Sequence, residues 1–116
     1  MGTLDLKQQI IVKINTQLKA IESIREKAEK EINIQLKVIE SIREKIYEEM
    51  NQSKTIDCNS KQIIERFKNL FKSTNRAEQE INSRLKTIAS IRKKAEKEIN
   101  SRLKVIEKLE RELRAL

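Results

Sequence analysis

The sequence predicts an all-α protein, a long and straight antiparallel helical hairpin with helices over about 3–51 and 60–116, completed into a helical bundle by self-association. Three observations predict it. The chain of 116 residues holds one Gly and no Pro, too few turn-forming residues for an all-β or doubly wound fold. Apolar residues recur with a period of 18 residues. That period is interrupted once, by a polar cluster over 52–59.

In the first helix two copies of the repeat, 14–31 and 32–49, follow a partial copy over 1–13 that carries Leu6 and Ile10 in the same frame. Each copy places apolar side chains at its first, fifth, eighth, eleventh and fifteenth positions. At about 100° per residue these fill one stripe roughly 120° wide. Eighteen residues make five whole turns, so every copy returns to the same azimuth. A seven-residue period winds helices left-handed and an eleven-residue period right-handed; eighteen imposes neither. The polar face holds Glu, Lys, Arg, Gln and Asn, with pairs such as Glu26 and Lys30 in the favourable order.

The stretch 52–59 is read as the turn, because it clusters Ser, Thr, Asn and Asp between periodic segments. Asn51 can adopt the left-handed conformation that closes a helix. Asn59, three residues before Gln62, resembles a capping box that opens the next one. Cys58, the only cysteine, falls in this loop and is read as an exposed thiol. The second helix then carries a degenerate copy over 63–80 and two regular ones over 81–98 and 99–116. Ser73-Thr74-Asn75 is a further candidate break, although the register passes through it without slipping. The short connection makes the helices antiparallel neighbours within one domain, 1–116. Ile14 then faces the region of Ile99, and Ile32 that of Ile81.

The expected assembly core is Ile14, Leu18, Ile21, Ile24, Ile32, Leu36, Ile39 and Ile42 on the first helix. On the second it is Ile63, Phe67, Leu70, Ile81, Leu85, Ile88, Ile91, Ile99, Leu103, Ile106 and Leu109. Two helices meeting along one stripe make a thin interior, and dimerisation into a four-helix bundle is the usual remedy. A homo-oligomer, with a dimer favoured, is therefore the expected state. Gln17, Gln35, Arg84, Arg102, Arg25, Arg43 and Arg92 also fall inside the apolar arc. Either their stems cover the seam while their polar ends reach water, or they make contacts that fix register and partner choice. Ile64 and Phe71 lie off the stripe, about 80–100° from its first position. They mark a patch for a neighbouring subunit or a dedicated partner.

Charge is uneven. Residues 3–51 hold 9 Lys+Arg and 9 Asp+Glu, whereas 60–116 hold 16 against 8, so the whole net charge of +8 resides on the second helix. A basic helix face binds phosphate backbones or acidic surfaces, which makes nucleic acid or another polyanion the second partner class. Glu interleaves with the basic residues, however, and the dense block of a zipper-type DNA-binding helix is missing. With no His, one Cys and three aromatic residues (Tyr47, Phe67 and Phe71), no zinc site, catalytic dyad or base-stacking platform is expected. No cofactor or enzymatic activity is expected either. Neither a secretory leader nor a membrane span is read in the sequence.

The 18-residue Ile/Leu repeat over 14–49 and 63–116 resembles computationally designed untwisted helical bundles. The resemblance implies a scaffold whose function is assembly or display. The polar loop with its free Cys58 and the irregular copy 63–80 depart from that pattern. A natural repeat protein and a designed chain carrying a grafted segment therefore both remain open, and the compartment is cytoplasmic or, for an engineered chain, undefined.

Overall fold

A computed structural model of the protein describes residues 2–54 and 60–116, with side chains described over 2–52 and 61–116. Two helices account for nearly all of them, α1 (Thr3–Lys54) and α2 (Ser60–Ala115), which form an antiparallel hairpin. No strand occurs among the described residues. α1 continues three residues beyond the end expected at 51, through Gln52, Ser53 and Lys54. None of these is a Gly or Pro, and polar composition alone does not stop a helix that still gains one hydrogen bond per residue. The remainder of the expected loop, with Cys58, lies outside the described residues.

The helix ends follow the peptide dipole. At the start of α1, the Asp5 N–H donates to the Gly2 carbonyl at 3.2 Å, and the Asp5 carboxylate sits in the first turn beside the positive end of the helix. At the end of α2, Arg114 occupies the last turn, and the Leu116 N–H donates to Leu113 O at 3.3 Å.

α2 runs unbroken through Ser73-Thr74-Asn75. Thr74 Oγ1 donates to Leu70 O at 2.8 Å, so the hydroxyl is satisfied by the carbonyl one turn back rather than by competing for the local backbone. Thr16, Thr87 and Ser101 do the same toward Val12, Ser83 and Lys97, at 2.9, 3.1 and 3.1 Å. No non-glycine residue among those described has a positive φ. The helices carry no backbone strain of that kind.

Two compact units divide the hairpin, and each takes a stretch of both helices. Unit 1 comprises Met1–Glu31 and Ser90–Leu116, and its buried apolar side chains are Ile21, Ile106 and Leu109. Unit 2 comprises Ile32–Ala89 and buries Ile39 and Ile88. Four of these five, all but Leu109, occupy the eighth position of their copies. Burying an isoleucine contributes roughly 1.5–3 kcal/mol, so the eighth position carries much of what holds the two helices together.

Candidate interaction surfaces

The 120° stripe divides into two parts with different environments. First-, eleventh- and fifteenth-position residues, such as Ile14, Ile24 and Ala28 or Ile32, Ile42 and Ile46, are half-buried beside the buried eighth-position isoleucines. On the helical wheel these lie at about 0°, −80°, −40° and −20° from the first position. The fifth position lies at about +40°, just past the edge of that seam. Leu18, Leu36, Leu85 and Leu103, which share it, are all exposed, at 45–49% of their accessible surface. Phe67, its counterpart in the irregular copy, is 63% exposed. The leucine part of the expected core is thus not core within a single chain.

The fourth position, at about −60°, falls inside the seam. In unit 1, Arg102 Nη1 donates to Gln17 Oε1 at 3.0 Å. In unit 2, Arg84 Nη1 donates to Gln35 Oε1, also at 3.0 Å. Side chains on a helix lean toward its N-terminus. In an antiparallel pair the Gln and the Arg lean in opposite directions along the seam, and their ends meet across it. These two bonds are polar contacts across the pair at the fourth position. Arg25, Arg43 and Arg92, by contrast, are exposed, as expected for stems lying along the seam edge with their charge in water.

Unit 2 also carries an open groove of about 580 Å³ lined by Val38, Ile42 and Ile46 from α1 and Ser73 and Ala77 from α2. Lys37, Ser41, Lys45, Glu49, Arg76 and Glu80 complete it, so its rim bears both signs of charge. Nearly all of these residues lie on the negative side of the wheel on both helices. The groove therefore locates one face of the pair, and the fifth-position side chains belong to the other.

The irregular copy widens that other face. Ile63 and Phe67 are exposed, while Leu70 and Ala77 remain half-buried. Ile64 and Phe71 are 57% and 68% exposed, and with Ile63 and Phe67 they make a contiguous apolar strip on one side of α2. Tyr47, at the sixteenth position of its copy near +60°, is exposed on the corresponding side of α1. Its place in this patch was not anticipated. The signal was present, because Tyr47 replaces a glutamate found at the same position in 14–31.

Among the described residues no cluster of His, Cys, Asp or Glu could hold a metal ion, and no helix is long and apolar enough to cross a membrane. No family model matches the chain, and neither a curated protein nor a solved structure does.

Proposed function

We propose that the protein is a non-catalytic structural and interaction protein, a helical hairpin that self-assembles through its Ile/Leu stripe, with a dimer as the favoured state. The observation that carries this reading is the imbalance between core and surface. Among the described residues, five apolar side chains are buried while seventeen large hydrophobic ones are exposed. Five buried side chains offset little of the conformational entropy lost by more than a hundred ordered residues, and association is the direct way to bury more. The resemblance to designed untwisted bundles supports the same scaffold reading. Sedimentation equilibrium at micromolar concentrations should give a mass that is a multiple of 13.7 kDa; a strict monomer throughout that range would refute it.

The second reading is a polyanion-binding module, favoured by the location of the entire +8 on 60–116. It requires binding to DNA or RNA that weakens steeply with salt. No mobility shift at low ionic strength would eliminate it.

A further inference from the structure

We propose that a second copy of this chain covers the fifth-position leucine face, leaving the eighth-position isoleucines to close the seam within each chain. This inference rests on the self-assembly reading and specifies the surface used.

Symmetry places the leucines together. Two antiparallel helices related by a pseudo-two-fold axis normal to their common plane carry equivalent positions on the same face. The groove in unit 2 shows this relation directly, since fifteenth- and eighteenth-position residues of both helices line it, Ile46 and Glu49 with Ala77 and Glu80. In unit 1, therefore, Leu18 and Leu103 share a face. In unit 2, Leu36 and Leu85 share a face with Phe67.

The area suits a partner protein. Within unit 2, Leu36, Leu85, Phe67, Ile63 and Phe71, exposed at 41–68%, leave roughly 500 Å² of apolar surface. A standard interface takes about 800 Å² from each partner, a little over half of it apolar. The spacing narrows the occupant further. Within unit 2, Phe67 and Leu85 are 18 residues apart on α2, about 27 Å at the helical rise, and a partner must present apolar groups at that interval. Another copy does so without adjustment, and a surface that matches itself makes an isologous two-fold contact.

Charge points the same way. The leucines are bordered by exposed Arg25, Arg43 and Arg92 at the twelfth position and by exposed Glu22, Glu40 and Glu107 at the ninth. A rim of both signs complements its own copy but repels a polyanion in part. Lysines of α2 such as Lys68, Lys86 and Lys104 occupy the sixth position near +140°, away from the leucines.

The test compares the wild-type chain with L36Q/L85Q and with I34Q/V105Q, which removes two exposed apolar groups from outside this face. Sedimentation equilibrium and circular dichroism are read together. The wild type and I34Q/V105Q should sediment as dimers, and L36Q/L85Q as a 13.7 kDa monomer that keeps its helical spectrum. A second measurement does not depend on folding of the leucine variant. In C58S chains bearing Leu36→Cys or Ile34→Cys, the thiol at 36 should alkylate at least tenfold more slowly at high protein concentration, and the difference should vanish on dilution. A monomeric wild type would overturn the self-assembly reading and this inference with it. A dimer that survives L36Q/L85Q, with equal thiol rates at 34 and 36, would overturn the leucine face alone.

Discussion

At the scale of single residues, the apolar side chains sort by what each can still lose. Ile88 is 4% exposed, and truncating it leaves a cavity that the facing helix cannot fill. Ile88→Ala should lower the stability of the chain by about 2–5 kcal/mol. Phe71 is 68% exposed, so the fold of one chain makes little use of its ring. Phe71→Ala should change the stability of the hairpin by no more than about 0.5 kcal/mol yet weaken association more than Ile88→Ala does, relative to its effect on stability. Urea melts at low concentration, set beside dissociation constants, separate the two effects. Equal loss of helicity in both variants with the oligomer intact would make Phe71 ordinary core. The exposed Arg114–Glu110 pair, at 3.8 Å, adds little by comparison, because solvent screens both charges.

At the scale of the helices, the period made both elements legible, and the details that were not legible have physical causes. An arc drawn from hydrophobicity treats Ile and Leu alike. Two helices in contact close over a narrower arc, which is why Leu18 and Leu36 fall outside the seam while Ile21 and Ile39 fall within it. The choice of leucine over isoleucine at the fifth position was the available hint. Likewise, Ser73-Thr74-Asn75 has the composition of a turn, but composition does not reveal that Thr74 will bond to Leu70 O. Continuity there is testable. Ser73→Pro removes a helical hydrogen bond and clashes with the carbonyl of Asn69, which should cost about 3 kcal/mol or more. Lys61→Pro, in the first turn of α2, should be tolerated because the N–H it loses has no partner within the helix. Melting temperatures of the two variants make the comparison, and similar values would mean that α2 is already broken near 73.

For the molecule as a whole, self-association links stability to concentration. If the oligomer is the principal folded state, the melting temperature should rise as protein concentration increases from micromolar to millimolar, since mass action favours the form that buries the exposed leucines. A melting temperature independent of concentration would indicate a hairpin that stands alone. The Gln–Arg bonds lead further. Both glutamines, Gln17 and Gln35, are on α1, and both arginines, Arg84 and Arg102, are on α2. Laying α2 against another α2 along this seam would set guanidinium against guanidinium, and α1 against α1 would pair amides and leave the arginines without these acceptors. The fourth position thus acts as an address, directing each helix to its unlike counterpart. It carries no copy number, since every regular repeat bears the same label. A hairpin of this kind could be lengthened or shortened only by matched additions to both helices, in steps of one whole repeat, and its sequence would still read correctly at every step.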